Sequence, residues 1–151
     1  MADRYFLARF KFAHWRDYDQ ALKEIKQGKK VGHWMWYIFP QIVGFGHTEI
    51  NFYYSIKSPK EAKAFLEDEL LNAHIRELCQ ALLDSPINDQ GEIFGKDWVK
   101  LGSSMTLFDY VSPNDIFDKV LEKFCGGSRC TNSISFIRQI EAEERKRENK
   151  S

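Results

Sequence analysis

Net charge is the first thing this chain lacks. Its 151 residues hold 22 Lys and Arg against 22 Asp and Glu, so the formal charge is zero. A dedicated nucleic-acid binder usually carries a basic excess that neutralises phosphates, and that class is disfavoured. Cysteine is scarce. Cys79, Cys125 and Cys130 are an odd count and a poor disulfide framework. The opening Met-Ala-Asp-Arg has no basic-then-apolar leader pattern, and the expectation is a cytoplasmic chain with free thiols. Cys125 and Cys130 flank Gly-Gly-Ser-Arg with no further Cys or His close by, so neither a metal nor a cofactor is expected. The longest run without Asp, Glu, Lys or Arg is Val31 to Thr48. It contains Gly32, His33, Pro40, Gln41, Gly44, Gly46 and His47, which a lipid-facing helix does not tolerate cheaply. No membrane contact is expected. The segment reads as buried in protein or lining a pocket.

Repeats, linkers and convincing strand alternation are absent from the sequence, as are HExxH, Gly-x-Ser-x-Gly, GxGxxG and paired zinc cysteines. No Asp or Glu stands at a spacing that would fix a triad with His14, His47 or His74.

Aromatic residues are what the chain has in excess. They make up 15%, and 14 of the 22 lie in residues 1–54. Those at Tyr5, Phe6, Phe10, Phe12, Trp15 and Tyr18, and at Phe52 to Tyr54, are expected to pack on helix faces. The surplus concentrates in Trp34, Trp36, Tyr37 and Phe39.

Periodicity predicts an all-α, single compact multihelical domain of about six to eight helices over 1–140. A charged helix end that frays is expected over 141–151. Residues 3–14 read as helical. Asp17 reads as the cap of a second helix through Ile25, stopped by Gly28. His33 to Phe39 reads as a short strand or an irregular buried segment, ended by Pro40. Thr48 caps a short helix. Ser58-Pro59-Lys60-Glu61 is a capping box with proline at the first helical position, which explains Glu61 without catalysis. Leu71, Ile75, Leu78 and Leu82 mark another helix. Asn88 or Asp89 starts a short one that Gly95 ends. Asp97 to Phe108 is ambiguous, Ser112-Pro113 starts a further helix, and Thr131 caps the last.

Two segments could carry chemistry. In His33 to Gln41, flat rings at Trp34 and Trp36 could stack a planar group, while Gln41 reads a polar edge and Lys29, Lys30 and His33 just upstream hold a phosphate. The competing reading is a dense aromatic core with solvated lysines. In Lys100 to Phe108, Ser103, Ser104 and Thr106 could cradle an anion, although the P-loop spacing is missing. The competing reading makes Ser103 or Ser104 a helix N-cap.

The run Gly28-Lys29-Lys30-Val31-Gly32-His33-Trp34-Met35-Trp36-Tyr37-Ile38-Phe39-Pro40-Gln41 closely resembles the signature of the domain of unknown function 1810 family. Gly44-Phe45-Gly46, Tyr54-Ser55-Ile56, Glu61-Ala62, Glu92 to Gly95, Lys100 to Phe108, and Phe124 with Gly126-Gly127 extend the resemblance over roughly residues 3–140. Three positions depart from the family pattern: His14 stands where Gln is usual, Gly32 where Ser is common, and Gly102 where a larger residue precedes Ser103. The resemblance implies a mainly helical fold and no established activity. The calpastatin label sometimes attached to such proteins finds no support, because calpain inhibitors are long, disordered and repetitive. Kinship with helical domains acting on NAD or ADP-ribose derivatives would be fold-level analogy.

The leading expectation is therefore a pocket for a planar, phosphorylated, nucleotide-like or ADP-ribose-like small molecule. Its residues would be Lys29, His33, Trp34, Trp36, Gln41, Ser103, Ser104 and Thr106, with any catalysis at a glycosidic bond. The alternative is a non-catalytic protein-interaction module in which the aromatic segment is core.

Overall fold

The computed structural model describes residues 3–150. The first two residues of the opening Met-Ala-Asp-Arg, and Ser151 at the end of the charged tail, lie outside the described residues. The fold is all-α. Among the described residues, eight helices of five residues or more are α1 (Ala8–Gln27), α3 (Glu49–Tyr54), α4 (Pro59–Glu67), α5 (Glu69–Asp84), α6 (Gln90–Phe94), α7 (Trp98–Val111), α8 (Ile116–Cys125) and α9 (Thr131–Asn149). A single turn, α2 (Met35–Ile38), follows α1, and a 3-10 turn, Gly95–Asp97, leads into α7. Among the described residues the nearest thing to a sheet is one isolated parallel bridge, Ile42 with Ile56. Val43 N–H donates to Ile56 O, and Ile56 N–H donates to Gln41 O, both at 2.8 Å, tying the loop after α2 to the end of α3. No described helix is long and apolar enough to cross a membrane.

Local chemistry explains most boundaries. The Asp3 carboxylate accepts from Leu7 and Ala8 N–H and opens α1. Gly28, at φ 85°, closes it in the left-handed region. Asp17 does not start a helix. No Gly or Pro lies between Ala8 and Gln27, so α1 runs through, and the Asp17 carboxylate takes Arg16 and the Tyr37 hydroxyl instead. Ser58 caps α4 as expected. Glu61 reaches back to Lys57 N–H and also holds the buried guanidinium of Arg9 at 2.6 Å.

Three caps differ from expectation. Ser103 and Ser104 are not N-caps, because α7 starts five residues earlier and carries them in its middle. Hydroxyl residues fit there because Ser103 donates to Val99 O and Thr106 to Gly102 O, each one turn back. Asp115, not Ser112, caps α8: its carboxylate accepts Ile116 N–H and is clamped in a fork by Arg76. Cys130, not Thr131, is the N-cap of α9, and Thr131 is its first helical residue.

The core gathers around α7, which packs against α4, α6, α8 and α9, while α5 bridges α1 and α8. Phe10, Phe39, Phe65, Phe108 and Phe117 are fully buried within it. The early aromatics divide. Phe10 and Tyr18 are buried as expected, whereas Phe12 and Trp15 stand 67% and 83% exposed on the outer face of α1. Phe6, Phe52 and Tyr53 are also exposed, with Phe6 set edge-on to Tyr53.

Candidate functional site

The His33 to Gln41 segment is fixed from below by one carboxylate. Glu24, 2% exposed near the end of α1, accepts Val31 N–H at 2.7 Å, Gly32 N–H at 2.9 Å and the Trp34 indole N–H at 2.9 Å, with Gln20 alongside. Burial pushes this carboxyl up, but the donors from Gly32, Val31, Gln20 and Trp34 outweigh it and hold it at about 2. Trp34 is thereby committed to the core, tilted against Phe39 and edge-on to Phe94. The turn of α2 then swings the next tryptophan the other way. Trp36 is partly exposed, and the Lys100 ammonium sits 4.4 Å from its ring centroid.

Trp36 walls a cleft of about 690 Å³. The first half of α7 contributes Trp98, Lys100, Gly102 and Ser103. The C-terminus of α8, the loop into α9 and the first turn of α9 add Cys125, Ser128, Arg129, Cys130 and Asn132. Gln41, Phe45 and Gly46 come from the loop tied down by the Ile42–Ile56 bridge, Asn51 from α3 and Gln90 from α6. Phe45 is braced edge-on by Phe136 of α9 at 5.1 Å. The lining is aromatic and amide-rich: Trp36, Trp98 and Phe45 beside Gln41, Asn51, Gln90 and Asn132. None of its residues is Asp, Glu or His.

Its two cations are already paired. Lys100 bonds Asp97, which also holds Lys30 at 2.9 Å. Arg129 bonds Asp118 at 2.6 Å, Asp109 at 3.2 Å and Gly127 O at 2.7 Å. The thiols lining the cleft differ in environment. Burial raises Cys125, which contacts Gln90 at 3.8 Å. Burial also pushes Cys130 upward, but the Ser103 and Ser133 hydroxyls and the Ser133 and Asn132 N–H groups overcome it and lower this thiol below the ordinary range.

The sequence matches the family described as protein of unknown function DUF1810 over residues 4–137. The chain belongs to the DUF1810 family. It is also similar to the conserved hypothetical protein Rv1873 from Mycobacterium tuberculosis, whose crystal structure superposes with a TM-score of 0.87 at 35% identity, over 90% of this chain and 99% of that one. No curated protein matches.

In this DUF1810 chain the two segments singled out in the sequence share one cleft, but not through all the expected residues. Trp36, Gln41 and Ser103 line it. Trp34 does not, because Glu24 holds its indole inward. Lys29 is exposed and outside the lining. His33 is exposed beside a smaller recess of about 150 Å³ that shares Trp36 and Lys100 with the cleft. Ser104 is fully buried, away from the lining, and its hydroxyl has no hydrogen-bond partner. Thr106 is also fully buried and works for the fold: its Oγ1 accepts Cys130 N–H at 2.9 Å and so seats the loop that precedes α9.

Sequence reasoning missed Glu24, Trp98, Asn51, Gln90, Arg129 and Asn132. Glu24 sits four residues before Gly28 with no motif to mark it. The Cys125–Cys130 spacing was visible but suggested only a metal question. Among the described residues no cluster of His, Cys, Asp and Glu could hold a metal ion.

His14, at the position where the family usually has Gln, lies away from the cleft. Its Nε2 donates to Tyr37 O at 2.8 Å, which leaves Nδ1 to accept from His74 Nδ1 at 3.0 Å. Burial pulls the His14 imidazole down to about 4. Tyr37 O raises it, His74 lowers it, and the more distant Asp68 raises it. His74 stacks on Tyr18 at 3.5 Å between ring centroids.

Proposed function

We propose that the cleft binds a small molecule built on a planar heteroaromatic ring of nucleobase type, carried on a nucleoside, nucleotide or ADP-ribose-like scaffold. The observation that carries this reading is the lining: Trp36 and Trp98 offer ring faces, and four carboxamides offer paired donors and acceptors for a polar ring edge. A stacked base contributes about 1–3 kcal/mol on such a platform. Lys100 and Arg129 are each neutralised by carboxylates, so the ring rather than a phosphate supplies most of the affinity. The lining offers no carboxylate or imidazole for acid–base work, which favours binding over hydrolysis of a glycosidic bond through paired carboxylates. Titration calorimetry tests the reading with a panel of nucleosides, their monophosphates and ADP-ribose. At least one nucleobase family binds, Trp36→Ala weakens it by about tenfold or more, as loss of one stacked ring should, and adding phosphate changes affinity less than removing Trp36 does. No binding across the panel overturns it.

A second reading is an interaction module without a small ligand. It is favoured by Phe12 and Trp15, whose rings sit 6.2 Å apart on the exposed face of α1. Most of the aromatic segment is core in this reading as in the first.

A further inference from the structure

Cys125 and Cys130 end one helix and begin the next, and both line the same cleft. Consecutive residues of α7 lie against them. A Cβ on Gly102 would stand 3.4 Å from Cys125 Sγ, and the Ser103 hydroxyl lies 3.5 Å from Cys130 Sγ. The four residues between them start with Gly126 and Gly127, both at positive φ, where a side chain added at Cβ would meet nothing within 4 Å. This is the part of the loop with room to change course. Cys79 is different: it is fully buried in α5 and touches Met105 Sδ.

We propose that Cys130 and Cys125 form a peroxide-oxidisable dithiol in the cleft wall, in which Cys130 reacts first and Cys125 resolves the product to an intramolecular disulfide.

The division of labour follows from environment. Thiolate is the attacking form, and the position of Cys130 favours it: the residue is the N-cap of a 19-residue helix, and the Ser103 hydroxyl lies 3.5 Å from its sulfur. Cys125 ends a helix rather than beginning one, and burial raises its thiol, so it holds its proton longer. In the first step Cys130 S⁻ attacks a hydroperoxide. An S–O bond forms and the O–O bond breaks; sulfur is oxidised by two electrons and the peroxide leaves as water or an alcohol after taking a proton. In the second, Cys125 sulfur attacks the Cys130 sulfenic sulfur. An S–S bond forms, the S–O bond breaks, and the Cys125 proton leaves with the oxygen as water. Overall, two thiols and one hydrogen peroxide give one disulfide and two waters. The oxidised loop pulls on Ser128 and Arg129, so the cleft changes shape with redox state.

The test uses the full native chain, hydrogen peroxide and peptide mass spectrometry, with no ligand present. Failure here therefore removes the thiol pair and leaves the ligand reading untouched. The expected result is a Cys125–Cys130 cross-linked peptide, reversed by dithiothreitol, with Cys79 unmodified. In Cys125→Ser, a sulfenic acid at Cys130 is trapped by dimedone; in Cys130→Ser, Cys125 stays reduced under the same conditions. Iodoacetamide labelling of the wild type adds a readout that needs no variant: Cys130 alkylates about tenfold or more faster than Cys125 near neutral pH. Equal labelling rates, or a sulfenic acid that appears first on Cys125, overturn the proposal. So does the absence of the cross-link in native chain at peroxide concentrations that oxidise an unfolded peptide spanning 125–130.

Discussion

Trp34 and Trp36 are two residues apart in one aromatic run, yet they belong to different parts of the molecule. Trp34 is 2% exposed and spends its indole N–H on Glu24. Trp36 is partly exposed, carries the Lys100 ammonium on its face and walls the cleft. Residue type and local density are the same; what differs is the buried acceptor below one ring. An aromatic excess in a sequence is therefore not itself a site. In this chain it is mostly core, and the part left over is identified by which ring has its polar atom already satisfied.

The comparison makes graded predictions. The largest effect is expected at Trp34. Trp34→Ala leaves a cavity and strips a donor from buried Glu24, costing about 3–5 kcal/mol in denaturant melts. A cost below about 1 kcal/mol, typical of a surface position, would break the contrast.

Next comes the buried imidazole at His14. Its folded pKa of about 4 lies below the unfolded value of 6.5. The stability it contributes is therefore complete above pH 6.5 and is lost as pH falls from there towards 4. The shift corresponds to about 3 kcal/mol. Protonation of His14 Nδ1 sets two N–H donors against each other at His74. Asp68 beside His14, and Glu77 and Asp19 beside His74, act against that loss. Melts between pH 7 and pH 4 should lose about 3 kcal/mol more in the wild type than in His14→Gln. Parallel profiles would show that the imidazole is not the group that titrates. Glu24 loses its contribution in a lower window, from 4.5 towards 2.

Trp36→Ala is expected to cost about 1 kcal/mol or less in stability. The smallest effect should be at Trp15, where Trp15→Ala changes stability by no more than about 0.5 kcal/mol, because its ring is already in solvent. A large loss there would mean that α1 packs against something on its outer face.

Most of the helical fold was legible from capping chemistry and apolar spacing. Gly28, Thr48, Ser58-Pro59, Asp89 and Gly126 act where the sequence places them. The errors share a cause. Asp17, Ser112 and Thr131 are good cap residues by type, but a cap works only where the chain enters a helix, and tertiary partners decided that. Ser103 and Ser104 were misplaced for the same reason, since i−4 hydroxyl bonding lets a polar stretch continue a helix.

The site was half legible. Residues 33–41 and 100–108 were singled out on the family resemblance and on composition, but the sequence does not say whether they share one pocket; in the structure parts of both line the same cleft. Which side chains face it depends on Glu24 turning Trp34 inward and on Thr106 seating the loop before α9, interactions spanning 10 and 24 residues with no local pattern. Lys29 lies outside the cleft lining, while Lys100 and Arg129, which do line it, are matched by carboxylates that no linear spacing announces.

Four tryptophans give four indole N–H reporters in three environments: Trp15 on the outer face of α1, Trp34 on Glu24, and Trp36 and Trp98 in the cleft. Their amide-type NMR resonances, followed during titration with the nucleoside that binds best, test the central claim most directly. The prediction is saturable movement of Trp36 and Trp98, with Trp34 and Trp15 holding still. Movement of Trp15 alone, or of no indole at all, would contradict it.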